Sequence, residues 1–373
     1  MRTWILSSLA FLLAACGVSA PSKSPVYIPE GNPPLLSDWG MMTSDGQSLT
    51  LSEGVEPYDL NTPLFTDYAH KQRTIWMPAG VQARFRENAP LDFPVGTVIT
   101  KTFYYPRGQG ANVVLELDRV DGWQPNGLDL ENIRLMETRI LVHRQTGWLA
   151  LPYVWNEDQT EARLARAGDV QRLTMMDASG DELSFAYVVP NSNQCAGCHA
   201  TNNTTRDIQP IGPAARHLNR DYDFPSGTMN QLENLISRRY LDTWPGADIT
   251  PAASNYLDPE SDLDRRARDY LDINCAHCHN SVGAADTSGL LLEHDALTGA
   301  NLGLCKLPIA AGSGTGGHRY DIVPGDPDQS IFIYRMNSTS PDIMMPELGR
   351  SLVHQEGVAL IREWIASLDG NCE

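Results

Sequence analysis

Thr138-Arg-Ile-Leu-Val-His143 and Gly147-Trp-Leu-Ala-Leu-Pro-Tyr-Val154 are two runs rich in β-branched and aromatic residues, joined by a Gln145-Thr-Gly turn. Such a pair reads as a β-hairpin. Working outward, Pro94-Val-Gly-Thr97 introduces Val98-Ile-Thr-Lys-Thr-Phe103-Tyr-Tyr105, and Asn112-Val-Val-Leu-Glu-Leu117 follows a Gly-rich turn. Ser184-Phe-Ala-Tyr-Val-Val189 is a further strand, stopped by Pro190. One helix is expected over 159–167, where Ala162, Leu164 and Ala165 recur before Gly168. Residues 33–189 therefore read as a β-rich domain with local helix. Its tryptophans, including Trp76, Trp123, Trp148 and Trp155, are expected to be mainly core.

Two later stretches carry the chemistry: Cys195-Ala-Gly-Cys198-His199 and Cys275-Ala-His-Cys278-His279. Cys-x-x-Cys-His is the attachment signature of c-type haem. Each thiol adds to one vinyl group, the two-residue gap sets both sulfurs at the porphyrin edge, and the histidine lies under the iron as fifth ligand. Two copies absorb four of the seven cysteines. A four-cysteine zinc site would space its pairs roughly 15–20 residues apart, whereas Cys198 and Cys275 are far more widely separated and each pair carries its own histidine. A thioredoxin-like pair does not call for a following histidine, twice. The sequence thus predicts two covalently bound haem c groups on Cys195, Cys198, Cys275 and Cys278, with His199 and His279 on the irons.

The N-terminus names a compartment. Residues 1–15 form a short charged and apolar leader ending in Leu13-Ala14-Ala15-Cys16, too short for a confident span. This end resembles the bacterial lipobox, which implies lipidation of Cys16 and a periplasm-facing lipoprotein. Gly17 in the next position implies outer-membrane retention. The alternative is an ordinary secretory signal. Residues 16–32, rich in Ser, Pro and Gly, read as a tether. Cys305 and Cys372 remain, and an oxidising periplasm would let them pair; two unpaired buried thiols are the alternative. Lys and Arg total 28 against 46 Asp and Glu, a net charge of −18. That balance argues against nucleic acid and would suit a basic redox partner.

The C-terminal part supports a more detailed expectation. Ser261-Asp-Leu-Asp264 opens a capped helix that runs to Asn274-Cys275, and Glu356-Gly-Val358-Ala-Leu-Ile361-Arg-Glu-Trp364-Ile365 has helical spacing with Gly370 as a stop. Between them lies Asp342-Ile-Met344-Met345-Pro346. Helix, motif, long loop, Met and final helix is an order that resembles class I cytochrome c over residues 258–369. The resemblance implies Met345, directly before proline, as sixth ligand, and Asp321–Asp328 as a loop along the haem edge. A thioether favours ferrous iron and raises the potential relative to two imidazoles.

Residues 190–245 read as a compressed first haem module. Pro190 forbids a long leading helix, and Pro210-Ile-Gly-Pro213 would back the fifth-ligand histidine. Thr228-Met-Asn-Gln231 resembles a capping box opening a helix. The sixth ligand here stays open among His217, Met229, His70 and His143, or none. His277, inside the second motif, is expected to face solvent.

Taken whole, the chain resembles bacterial dihaem c-type lipoproteins with a β-rich N-terminal domain and unsettled activity. The stretches that carry this are Pro63-Leu-Phe-Thr-Asp-Tyr-Ala69, Tyr153-Val-Trp-Asn156, Gly212-Pro-Ala-Ala-Arg-His-Leu-Asn219 and Asn274-Cys-Ala-His-Cys-His279 through Trp364. The expected fold class is α+β multidomain, a β-rich domain followed by mainly α-helical cytochrome c-type modules. The expected function is electron transfer with periplasmic redox proteins, with a membrane contact through lipid alone and no catalytic residues. Two alternatives are a dihaem peroxidase or oxidase with an open first haem, and a polymer- or partner-binding module wired to two haems.

Overall fold

The computed structural model describes residues 24–110, 112–117, 122–309 and 311–373, so the leader and Cys16 lie outside the described residues. The first part of the chain is built of strands: β1 (Met42–Ser44), β2 (Ser48–Leu51), β3 (Glu56–Tyr58), β4 (His70–Trp76), β5 (Val98–Pro106), β6 (Val113–Leu115) and β7 (Trp123–Gln124). There follow β8 (Gly127–Asp129), β9 (Ile133–Arg144), β10 (Gly147–Trp155), β11 (Ala162–Leu164), β12 (Asp169–Met176) and β13 (Glu182–Val189). The hairpin read from the sequence is β9–β10, closed in register from Arg144↔Gly147. It forms the middle of a six-stranded sheet of order β11-β10-β9-β5-β4-β3, antiparallel throughout.

Around it stand a four-stranded sheet β1-β2-β8-β7 and a three-stranded sheet β13-β12-β6. One core, including Trp39, Leu128, Ile140 and Tyr153, lies between the first two sheets. Of the four tryptophans read as core, Trp155 is buried, Trp76 and Trp148 are half-buried, and Trp123 is exposed. Residues 24–32, assigned to the tether, are held down. Val26 N donates to Trp39 O at 3.1 Å, and Arg144 donates to the carbonyls of Ile28 and Gly31.

The helix expected over 159–167 is a strand instead. β11 pairs with β10 from Tyr153↔Leu164 to Trp155↔Ala162. Gln159 turns the chain at φ +56°, and its buried side chain accepts from Leu135 N and donates to Ile133 O. The edge of β10 would otherwise leave backbone donors and acceptors without partners, and that demand outweighs the local helical pattern.

The expectation of mainly α-helical modules beyond residue 190 is overturned. Among the described residues that part holds six short α-helices set among turns and loops, and the protein is β-rich as a whole. Three belong to the first motif region: α1 (Cys195–His199), α2 (Ala215–Leu218) and α3 (Gln231–Ser237). The predicted capping box at Thr228 lies in a hairpin of β14 (Asp221–Phe224) and β15 (Gly227–Asn230), and Asn230 caps α3 by accepting from Leu232 N. This region has no separate core. Its Leu218, Leu232 and Leu235 pack with Ile75, Ile99 and Leu141 of the six-stranded sheet.

The remaining helices are α4 (Leu263–Leu271), α5 (Ile331–Met336) and α6 (Gln355–Ser367). Asp262 caps α4 by accepting from Arg265 N at 3.0 Å, one residue beyond the expected Ser261. Ala267, Tyr270 and Leu271 of α4 pack against Leu360, Ile361, Trp364 and Ile365 of α6, and Trp364 Nε1 donates to Asp264 at 2.8 Å. Between α4 and α6 the chain is punctuated by glycine, which weakens a helix, and proline, which breaks one. Among the described residues no helix is long and apolar enough to cross a membrane.

Cys305 and Cys372 form a disulfide with Cα atoms 5.2 Å apart, as the cysteine arithmetic expected. It closes a segment of 67 residues and ties the C-terminal tail to the loop after the second motif. Replacing both with serine is expected to lower unfolding free energy by about 2–4 kcal/mol, because the unfolded chain regains loop entropy. Urea unfolding of the double variant, against wild type with and without reductant, checks this; equal midpoints would refute it.

Candidate functional site

The two motifs are delivered by different local devices. After β13 ends at Val189, the Asn191 side chain accepts from the backbone N of Asn193 and Gln194, and Gln194 Oε1 accepts from Asn191 N. This double turn aims the chain into α1, where Cys195 is buried. The second motif continues α4. Helix α4 widens into a π-helical turn at Asp272–Ala276, and Cys275 O then accepts from the backbone N of Cys278 and His279. Such widened turns favour functional positions because they re-aim side chains within a continuing helix.

The motifs lie side by side. Cys278 Sγ is 3.6 Å from Gly197 O, and Asn203 N donates to Val282 O at 2.6 Å. Gly283 closes the turn behind the second motif, where a Cβ would stand 2.3 Å from Cys278 O. All four motif cysteines and both terminal histidines line one cavity of about 950 Å³, at the upper end of the range for ligand sites. Its walls come from β5 and β9, from residues 64–67, from the Ile211–Pro213 loop, and from the loop carrying Met344 and Met345.

Each histidine is oriented by its second nitrogen. His199 Nδ1 lies 2.8 Å from Gln209 O, a group that can only accept, so Nδ1 carries the proton and Nε2 keeps its lone pair. His279 Nδ1 lies 3.2 Å from Ser288 Oγ, whose own hydrogen goes to Ala285 O. The same tautomer follows. A ligating imidazole is held in this way, with one nitrogen bonded to protein and the other left for metal. Burial pushes His199, His277 and His279 down to about 4, so the rings are neutral at pH 7.

The thiols behave differently from a redox pair. Burial pushes Cys275 and Cys278 up to about 12 and raises Cys195 and Cys198 as well. Dithiol exchange needs a lowered thiol pKa. Among the described residues no three Cys, His, Asp or Glu side chains converge as an ion site would require.

The cavity is rich in cations although the chain is acidic. Arg73, Lys101, Arg139, Arg335 and Arg350 line it, against Asp67, Asp321 and Glu347. Arg139 is fastened by Glu137 at 2.6 and 2.9 Å, and Arg73 by Asp59 at 2.8 Å. Burial, with Arg139 and Arg73 adding to it, pushes Lys101 down to about 7.

Met345 lines the cavity, as does Met344. Arg350 holds their loop: its guanidinium donates to the carbonyls of Met345 and Ser338 at 2.8 Å and of Leu352 at 2.9 Å. The four candidates for the other sixth position are placed elsewhere. His217 is buried with Nε2 3.7 Å from Asp272 and neither ring nitrogen hydrogen-bonded. His70 Nε2 meets Leu117 O, His143 Nδ1 meets Phe93 O, and Met229 pairs with Tyr222 in the β14–β15 hairpin. None of the four lines the cavity. His277, expected in solvent, does line it, and its Nδ1 is buried without a hydrogen-bond partner. A histidine at the second free position of the motif was the available signal.

No family model, curated protein or solved structure matches this chain.

His354, also on the cavity wall, marks the seam between the β-rich part and the C-terminal part. Its ring stacks on Phe65 at 4.1 Å, Nδ1 meets Tyr270 Oη at 2.9 Å, and Nε2 meets Tyr256 Oη at 3.2 Å. Burial pushes it from the ordinary 6.5 down to about 3. The unfolded chain therefore takes up this proton near pH 6.5 and the folded chain only near 3. Its contribution to stability is full above that window and lost as pH falls through it, at roughly 1.4 kcal/mol per pH unit. Urea midpoints at pH 7.5 and 5 are expected to separate more in wild type than in His354→Phe, which keeps the stack without the proton. Equal separations would rule out this role.

Proposed function

We propose that this chain is a dihaem c-type cytochrome that carries electrons in the bacterial cell envelope. The observation that carries the reading is the shared cavity, into which both Cys-x-x-Cys-His motifs open with each histidine tied at Nδ1 and free at Nε2. Two Cys-x-x-Cys pairs far apart in sequence, each with its own following histidine, suit haem attachment better than a four-cysteine zinc site. Haem attachment would add each Sγ–H across a vinyl C=C, sulfur to one carbon and hydrogen to the other, with no net redox change. Bound haem supplies an iron that cycles between ferrous and ferric.

The residues of the chain do the rest. Cys195, Cys198, Cys275 and Cys278 would anchor the haems, His199 and His279 would hold the metal through Nε2, and Met345 would offer a thioether from a loop that Arg350 pins. Arg73, Lys101, Arg139, Arg335 and Arg350 supply positive charge for the haem carboxylates. The net charge of −18 favours encounter with a basic redox protein as donor or acceptor. The lipobox-like Cys16 would hold the protein at the membrane by lipid. A second reading, a peroxidase or oxidase, is favoured by the absence of His217, Met229, His70 and His143 from the cavity wall.

Pyridine haemochrome assay and intact mass of protein made with haem-maturation machinery are expected to give two haems per chain. Cys195→Ala/Cys198→Ala and Cys275→Ala/Cys278→Ala are each expected to leave one. Stoichiometric zinc and no haem would overturn the proposal. In the ferric holoprotein, Met345→Leu is expected to abolish the long-wavelength thioether-to-iron band, and Arg350→Gln to weaken it by loosening the loop. Peroxide turnover by wild type would favour the enzyme reading over the carrier.

A further inference from the structure

We infer that His277, from within the second motif, is the sixth ligand of the haem attached at Cys195, Cys198 and His199. The inference rests on the dihaem reading above and names a residue of this chain toward its first haem. His277 lines the same cavity as the first motif. It stands one residue before Cys278, whose Sγ lies 3.6 Å from Gly197 O inside the first motif. The backbone contacts between the motifs, Cys278 Sγ to Gly197 O and Asn203 N to Val282 O, hold it there. Its Nδ1 is buried with no hydrogen-bond partner, an arrangement that calls for an explanation such as a ligand the group serves.

The other polar groups near His199 are poorer donors to iron. Arg139 has no lone pair, is bound twice by Glu137 and lies 4.3 Å over the Phe103 ring. Lys101, 5.6 Å from the same ring, has no lone pair while charged and matches a haem carboxylate instead. An imidazole, by contrast, can present a ring-nitrogen lone pair to iron. A ligand drawn from the second motif would also couple the two sites mechanically. Attachment at Cys275 and Cys278 would fix the position of His277 toward the first haem.

EPR and near-infrared magnetic circular dichroism of the ferric holoprotein test this, after haemochrome assay has counted the haems. Fewer than two haems in wild type would defeat the dihaem reading itself. With two haems, wild type is expected to show one bis-imidazole low-spin centre and one imidazole–thioether centre. A high-spin or amine-ligated first haem in wild type overturns the inference. His277→Ala is expected to convert the bis-imidazole centre to a high-spin one that binds cyanide and is restored by added imidazole, leaving the thioether band intact. His277→Met, which retains a ligand where alanine hinders maturation, is expected to replace the bis-imidazole signal with a second thioether band. An unchanged bis-imidazole signal in either variant overturns it.

Discussion

Arg216 of α2 is buried and ties the first-motif region to the helical turn that leads into the second motif. Its guanidinium bonds Asp269 at 2.6 Å and also bonds Asp272, both on the helical turn that leads into Cys275. Asp269 in turn accepts from the backbone N and hydroxyl of Ser254. Burial pushes Asp272 up, but His217, His294 and Arg216 more than offset it and hold the carboxyl well below the usual range. Losing one partner of such a buried network costs about 3–5 kcal/mol, because a charge is left uncompensated in low dielectric. The network therefore does more than add stability: it sets where the first-motif region stands relative to the second. The placement of His217 follows from this, since its ring is packed behind the pair and away from the cavity.

The six-stranded sheet serves as the rigid wall for that arrangement. Strands β5 and β9 carry Lys101 and Arg139 into the cavity and present Ile99 and Leu141 to the core beneath the first motif. A region with three short helices and no core of its own depends on such a wall. Asp67 provides the matching clamp for the C-terminal part, accepting from Ser351 N and Leu352 N at 2.7 and 2.8 Å. Asp67 and Tyr68 hold φ of 45° and 60°, a left-handed turn that few residues adopt without compensation. Phe65 N donates to Asn274 Oδ1 one residue before Cys275, so the 63–69 stretch grips the second motif as well. The β-rich part and the motifs are thus one working unit.

Much of this was legible in the residues. The β9–β10 hairpin, β5 and β13 were visible because alternating β-formers between turn signals leave little else possible. Helices α4 and α6 were visible from capping and periodicity, the disulfide from cysteine count, and the Ile211–Pro213 loop from its prolines. Failures came where pairing with a neighbouring strand decided. Gln159–Ala167 has helical spacing, yet the open edge of β10 drew Ala162–Leu164 into a strand. Thr228 looked like a cap until Tyr222 and Met229 paired across a hairpin. A cytochrome-like order of elements suggested helical modules, but the motif regions lean on sheet and loop packing instead.

By itself, then, the sequence determined the chemistry the chain carries: two Cys-x-x-Cys-His units, a methionine before proline, and a β-forming body. Those properties are local, since covalent spacing and propensity act over a few residues. Tertiary structure alone decided that both motifs open into one cavity, that Gln209 and Ser288 orient the two histidines, and that His277 rather than His217 faces that space. These depend on contacts across tens to hundreds of residues, such as Arg216 with Asp269 and Asp67 with Ser351. No local pattern encodes such a contact, because its energy exists only when the distant partner is in place.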